Sequence, residues 1–382
     1  AIFPLHLFGA GFFISCGKRI FLKTIIVSVT NDLSTDQRVA KICDTLVEHN
    51  YKVLLIGRKL KTSIPISRKY KTLRMSLLFN NGFLFYAEYN IRLFLRLLFL
   101  KKDLLLSNDL DSLLPNYMVG KLQSKVLIYD SHELFTEIPE LVDRPKIKNI
   151  WTGIEKRILP NLKNCYTVSN SIATYYTNKY STPFKTIRNL PRTKAITSGT
   201  FPFATSEKKI IIYQGAINMG RGLELMINTM KHLENHLLVL IGSGDILEVL
   251  KQQSLELVKA NKVYFLGKLS PVKMQKLTPL ADIGISLEED LGLNYRYALP
   301  NKIFDYLHAE IPVLVSNLPE MKKIIDRYKF GEVVRNRGPK LLAKQIQEFS
   351  LKKHSEEIIN AKKSLNWEHE EQKLISIFKN AK

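Results

Sequence analysis

The sequence predicts an α/β fold of two Rossmann-like parallel domains facing each other across a cleft. Three observations predict it. Short apolar strands alternate with amphipathic helices along most of the chain, a stretch without period interrupts them at 190–208, and 382 residues exceed one ordinary core. An apolar fraction of 45% with 24% charged residues is globular in composition.

Residues 1–20 hold an apolar run broken by Pro4, His6 and glycines, with Lys18 and Arg19 following it. That run is too short and broken to span a bilayer, and a signal peptide carries its charges in front. It reads as an extension, with a short membrane-touching segment as the other reading, and the fold is expected to begin near Phe21. "KTIIVSVT" (23–30) is then a buried strand, "DQRVAKICDTLVEHN" an amphipathic helix, and "YKVLLIGR" the next strand. "DLLLSND", "KVLIYDSHE" and "CYTVSN" are further strands, separated by the helices "SLLPNYMVGKLQ" and "NIWTGIEKRILPNLK". "LPRTKAITSGTFPFATSEK" has the Pro, Thr, Ser and Gly of a linker. The alternation resumes with "KIIIYQ", "LELMINTMKHL", "HLLVLIG", "ILEVLKQQSLELVK", "KVYFLG", "SPVKMQKLTPLA", "DIGISL", "NKIFDYLHAE", "IPVLVS" and "PEMKKIIDRY". Ligands of such domains bind at the carboxyl ends of the strands.

Cys16, Cys43 and Cys165 form no CxxC pair, so neither a zinc site nor a disulfide framework is indicated, and a reducing cytoplasm is the simplest compartment. The net charge of +22 makes a polyanion a natural partner. No helix-turn-helix, RNA-binding signature or zinc knuckle accompanies it, so nucleic acid is not expected. A basic segment at 58–74 beside an aromatic, leucine-rich helix at 83–100 suits an anionic membrane surface instead. The other reading of 83–100 is a core helix with solvated lysines around it.

Two loops carry the chemistry. "IIIYQGAINMGRGLELMI" (210–227) is a strand that breaks into Gly215, Gly220 and Gly222 before a helix. It is neither GxGxxG nor a P-loop, yet such a turn presents backbone N–H groups at a helix N-terminus, where Arg221 adds a charge that suits phosphate. By itself it is also an ordinary turn. "ALPNKIFDYLHAEIPVLVS" (298–316) puts Pro300 before a helix with Asn301 and Lys302 in its first turn and Asp305 one turn on. That arrangement offers a second cation to phosphate and a carboxylate to a ribose diol. Alone, Asp305 would be a helix-dipole partner and Lys302 a solvated lysine. Asp36 and Arg38 open the first long helix, as cap or as site lining.

With "TNDLSTDQRV", "DSHEL", "IRNLP", "IGSGD" and the closing "NWEHEEQKLISIF", these loops give a chain that resembles the GT-B-fold glycosyltransferases of family 4 from about Lys23 to Phe378. The resemblance implies a retaining, nucleotide-sugar-dependent enzyme. It implies an acceptor-side domain at 21–190 completed by a helix at 366–382, a linker at 191–208, and a nucleotide-sugar domain at 209–365. Gly215, Gly220, Arg221, Gly242, Asn301, Lys302 and Asp305 then belong to the donor site, and Asn31, Asp36, Arg38 and Glu133 to the acceptor side. His132 matches the histidine that the family places beside the donor sugar, the other reading being a buried histidine satisfied by its neighbours, and Glu133 would orient it or lie on the surface.

Two positions depart from the family pattern. Ala216 stands where the family has the first cation of the phosphate loop, and Tyr297 where it has the first of two acids eight residues apart, Asp305 being the second. Glu288, Glu289 and Asp290 lie upstream in "SLEEDLG", and Glu289 is chosen as the acid that reaches the sugar. "NDLD" (108–111) contains a DxD, read as a decoy or an acceptor-side element, and no other cluster has metal-ligand spacing. The expectation is a metal-independent glycosyltransferase without a cofactor, cytoplasmic or peripheral on the inner face of the membrane. It would pass a sugar to a saccharide or lipid-linked acceptor in surface polysaccharide or lipopolysaccharide assembly. A nucleotide-sugar epimerase of similar fold and a non-catalytic binding homologue are the alternatives.

Overall fold

Two parallel sheets organise the chain in the computed structural model, which describes residues 23–141, 144–205, 207–350 and 354–381. The first sheet holds β1 (Thr24–Asp32), β2 (Lys52–Lys59), β3 (Lys71–Ser76), β4 (Leu104–Asn108), β5 (Val126–Ser131), β6 (Asn164–Thr167) and β7 (Phe184–Thr186). Their order is β3-β2-β1-β4-β5-β6-β7. The second holds β8 (Lys209–Gln214), β9 (His236–Ile241), β10 (Val263–Gly267), β11 (Ile283–Ser286), β12 (Val313–Val315) and β13 (Gly331–Val333), ordered β10-β9-β8-β11-β12-β13. The two-domain parallel architecture expected from the sequence is therefore present. Residues 1–20, with Cys16, lie outside the described residues.

Helices cover both faces of each sheet, which is why β4 and β9 are buried at every residue and carry the apolar runs 104–106 and 237–241. The order reverses between β1 and β4 and between β8 and β11. Each reversal opens a crevice beyond the strand ends. On one face of the first sheet, Ile25, Val27, Ile42 and Leu46 pack with Trp367, Leu374 and Phe378 of the closing helix Trp367–Asn380. That helix starts at Asn366, whose side chain accepts the His369 N–H, and Trp367 Nε1 donates to Thr45 Oγ1 at 2.8 Å.

The segment 58–74 does not form one basic strip. Arg58 and Lys59 end β2, and Lys71 to Arg74 begin the edge strand β3, which the sequence reading missed. Arg74 pairs with Asp32 at 3.1 Å, Arg68 donates to the Leu33 carbonyl, and Arg58 lies over the Phe85 ring. The helix Gly82–Phe99 turns Phe85, Tyr89, Leu93 and Leu97 into the core. It leaves Ile91, Leu95 and Phe99 exposed at 62%, 50% and 87%. Leu114, Met118 and Leu122 of the adjacent helix Leu113–Leu122 are exposed too. The core reading of 83–100 holds for one face only. Cys43 and Cys165 are both buried and unpaired.

Candidate active site

In the second domain, β8 runs into the glycine loop 215–222 and the helix Leu223–Met230. Gly222 takes φ +70°, and a Cβ there would lie 2.1 Å from the Leu287 carbonyl oxygen, so only glycine lets the loop pass beneath the end of β11. Gly242, at the end of β9, is as constrained: its Cβ would meet the Gly215 carbonyl oxygen at 1.8 Å. The crowding presses the loop against the strand ends and turns Arg221 outward over the Tyr295 ring, 5.2 Å from its centre.

The helix Asn301–His308 supplies the second cation. Asn301 is exposed at its mouth, while Lys302 is buried with its ammonium 4.0 Å above the Tyr213 ring and 2.9 Å from Glu288 Oε1. Glu288 is 0% exposed, accepts from Ser286 Oγ at 2.7 Å and lies 3.7 Å from Arg221. Burial pushes its carboxyl up, but Lys302, Ser286 and Arg221 outweigh burial and hold it below the ordinary carboxylate range. Of the three acids after β11, Glu288 therefore meets the cations and Glu289 does not. Glu289 donates its N–H to the Gly220 carbonyl and turns its carboxylate to within 3.6 Å of Arg337, while Asp290 pairs with Arg296 at 2.8 Å. Ser286 and Glu288 share one side of an extended segment, so the intervening parity carries Glu289 to the other. The sequence-based choice, Glu289, is thus the acid beside Arg337, and Glu288 is the one beside Lys302 and Arg221.

Asp305 lies one turn further along the same helix. It accepts from Gln214 Nε2 at 3.0 Å and opens onto a small cavity beside Pro191, Arg192 and His308. Burial raises its carboxyl to about 6 against the Gln214 hydrogen bond, Lys41 and Lys302. Tyr297 lines an outer groove with Tyr175, Lys179 and Lys323, and its carbonyl accepts from Ser169 Oγ at 3.1 Å.

The first domain answers with a second charge cluster. Asp130, at the end of β5, accepts two contacts from Arg38 Nη2 at 2.9 and 3.2 Å. Asp109 takes φ +58° just past β4, which brings its carboxylate back to the His132 backbone N–H at 2.8 Å. The His132 ring then lies between the two acids, Nδ1 3.0 Å from Asp109 Oδ2 and Nε2 3.1 Å from Asp130 Oδ2. Burial works against the imidazolium, but Asp109 and Asp130 outweigh it and raise His132 to about 10. Both ring nitrogens are engaged, so the histidine is a fixed cation. The DxD of 108–111 is divided: Asp109 holds His132, while Asp111 is buried against Thr30, with its carboxyl raised to about 7 by burial and by Asp109.

Asn31 donates to Asp36 at 2.9 Å, and Asp36 caps the helix Gln37–Glu48 by accepting the Val39 N–H. Glu133 reaches across the cleft: it accepts from Asn294 Nδ2 at 3.0 Å, and the Leu134 N–H donates to Asn294 Oδ1 at 3.0 Å. Asn294, in the helical turn Leu293–Arg296 of the second domain, thus bridges to the first. The ring of His132 is oriented by Asp109 and Asp130, the role the sequence offered to Glu133. Nothing in the sequence singled out Asn294, Asp130 or Tyr295, although Asp130 stood in the quoted "DSHEL".

A cavity of about 640 Å³ between the domains gathers Asn31, Asp36, Arg38, His132, Glu133, Arg221, Asn294, Tyr295 and Asn301. Lys302, Glu288 and Asp305 are not among its lining residues, and Asp305 lines the smaller cavity beside Pro191 and Arg192 instead. Among the described residues no group of three or more His, Cys, Asp or Glu could hold a metal ion.

Residues 201–365 match the model of the glycosyl transferases group 1. An uncharacterized glycosyltransferase of Methanocaldococcus jannaschii is 27% identical over 186 residues, which are 45% of this chain and 45% of that protein. Sucrose-phosphate synthase from Thermosynechococcus elongatus superposes with a TM-score of 0.74 at 16% identity, over 94% of this chain and 98% of its own. Anabaena HepE, solved with UDP and glucose, gives 0.68 at 12% identity over 94% and 99%. WaaG, a glycosyltransferase involved in lipopolysaccharide biosynthesis, gives 0.64 at 13% identity over 94% and 100%. The similarity to the group 1 glycosyl transferases thus falls on the second domain, and the two domains together have the fold of the GT-B glycosyltransferases.

Proposed function

We propose that the protein is a retaining glycosyltransferase that needs no metal and moves a sugar from a nucleotide diphosphate sugar to a saccharide or lipid-linked acceptor, in surface polysaccharide or lipopolysaccharide assembly. The observation that carries it is the cavity with Arg221 and the helix mouth at Asn301 on one wall and His132, Arg38 and Asp36 on the other. Diphosphate would lie against the glycine-loop N–H groups, Arg221 and Lys302, which stabilise negative charge as the glycosidic bond breaks. The acceptor hydroxyl would enter from the Asn31 and Asp36 side and attack the face that the diphosphate leaves, passing its proton to a departing phosphate oxygen. His132 is a standing positive charge beside the sugar. A sugar hydroxyl that accepts from Nδ1 would replace Asp109, the more exposed of its two carboxylate partners at 16% against 0%.

Peripheral membrane binding at the cytoplasmic face belongs to the same proposal. It is supported by the exposed Ile91, Leu95 and Phe99 beside Arg96, Lys101 and Lys121. No helix among the described residues is long and apolar enough to cross a membrane.

A donor panel tests the reading, beginning with UDP-glucose, the ligand of one HepE structure. Each donor is offered with and without saccharide and lipid-linked acceptors, and the anomeric configuration of the product is read by NMR. Transfer with retained configuration in the presence of EDTA is expected. An epimerised donor formed without acceptor would indicate the epimerase instead, and donor binding without turnover a non-catalytic homologue.

A further inference from the structure

Glu288 is the buried acid for which neither the fold nor the proposed transfer reaction accounts. It is fully enclosed, it is not the acid the sequence favoured, and it sits on the two cations assigned to the diphosphate. One oxygen is fixed by Ser286 Oγ at 2.7 Å, and the other takes the Lys302 ammonium at 2.9 Å. Arg221 is held more loosely, at 3.7 Å, and its Nε has no hydrogen-bond partner although that atom is buried.

We propose that Glu288 is the resident counter-ion of the anion site, a positioning residue that holds Lys302 and Arg221 in place and yields them to an incoming diphosphate. The proposal rests on the donor reading above. A buried ammonium without a partner is costly, so between substrates the site needs an anion of its own. With diphosphate present, two anions would compete for the same donors, and Glu288 lowers affinity. It thereby speeds release of the nucleoside diphosphate product. The neighbouring charges leave it in that role: Asp305 engages Gln214 and not Lys302, and Arg337 donates to the Leu287 and Glu288 carbonyls and not to the Glu288 carboxylate. The backbone is built for a hand-over as well, since Gly220 accepts from the Glu289 N–H and ties the segment bearing Glu288 to the glycine loop.

The test is calorimetric titration of wild type, Glu288→Gln and Glu288→Asp with inorganic pyrophosphate, and in parallel with UDP, GDP and ADP. Glu288→Gln is expected to bind pyrophosphate at least fivefold more tightly than wild type, and Glu288→Asp, which keeps the charge, to stay within about twofold of wild type. Equal or weaker binding by the Gln variant, or an Asp variant as tight as Gln, would overturn the proposal. If pyrophosphate behaves as expected while no nucleotide binds, the donor reading falls and the counter-ion role stands. Nucleotide binding that the Gln variant does not tighten keeps the donor reading and removes the counter-ion role. Should the Gln variant fail to fold, a structure of wild type with pyrophosphate decides. The Glu288 carboxylate should have left Lys302, and a pyrophosphate seated on Lys302 with that pair still intact would refute the hand-over.

Discussion

In the proposed reaction Arg221 and Lys302 would serve one anion from different depths, 28% and 10% exposed, and this difference separates their substitutions. Each removed charge-assisted contact should weaken the transition state by about 2–4 kcal/mol, so Arg221→Ala and Lys302→Met should each lower turnover well over tenfold. Only Lys302→Met leaves Glu288 buried without its nearest cation, a loss of about 3–5 kcal/mol in stability. Arg221 is 28% exposed and its removal should barely move the melting temperature. Measuring both quantities on both variants checks the assignment, and unchanged donor kinetics in the pair would remove it. His132 makes the opposite pattern, because its two acids stabilise its charged form. Its folded value of about 10 lies above the ordinary 6.5, so its contribution is complete below about pH 6.5 and is lost as pH rises through about 10. His132→Gln should therefore cost about 1.5–3 kcal/mol in denaturant unfolding at pH 6, and that difference should shrink steadily toward pH 10. A difference that grows with pH would contradict an imidazolium between Asp109 and Asp130.

At the scale of the element, the helix Gly82–Phe99 shows what a sequence pattern can and cannot carry. Its Phe85, Tyr89, Leu93, Leu97 stripe follows the helical period and was legible as core, but Ile91, Leu95 and Phe99 continue the apolar character round the back. Vesicle sedimentation should show binding that needs anionic lipid, weakens with salt and falls when Leu95 and Phe99 become Ser. Equal recovery in the supernatant from neutral and anionic vesicles would leave that face without a lipid. The strands of the two buried sheets were readable because unbroken apolar runs such as "HLLVLI" can hardly sit elsewhere. The edge strands β3, β7 and β13 were missed, since an edge needs less burial and in Lys71–Ser76 only Met75 is buried. In the site, glycine and helix-start chemistry pointed to Arg221 and Lys302. Parity along an irregular segment after β11 was not readable from letters, and so Glu289 was preferred to Glu288. The ring partners of His132 lie 23 and two residues away, joined only by the pairing of β4 with β5.

For the molecule as a whole, the cleft is held by polar bonds together with Leu293 and Tyr297 of the second domain, which pack against the core around Leu134 and Phe135. Asn294 makes two, to Glu133 and to the Leu134 N–H, and Glu320 accepts from the Ser171 N–H and hydroxyl at 3.0 and 2.6 Å. A hydrogen bond of this kind contributes about 0.5–1.5 kcal/mol net, enough to bias the equilibrium between open and closed arrangements but not to lock it. Asn294 lies five residues from Glu289, whose N–H is bound to the glycine loop, so the segment that clasps the first domain is the one that carries the counter-ion of the second. Asn294→Ala should then shift the free protein toward the open form and raise its radius of gyration in solution scattering. Affinity for nucleoside diphosphate should hardly change, because Arg221 and Lys302 both belong to the second domain, while turnover falls as His132 and the acceptor wall lose their register with the donor. The closing helix sets the limit of that motion: Trp367, Leu374 and Phe378 are buried in the first domain, each contributing about 1.5–3 kcal/mol, and keep the chain's end fixed there while the second domain moves. A variant with the wild-type radius and normal turnover would show that the clasp plays no part in closure, and one with weakened diphosphate binding but normal turnover would place Asn294 in donor capture.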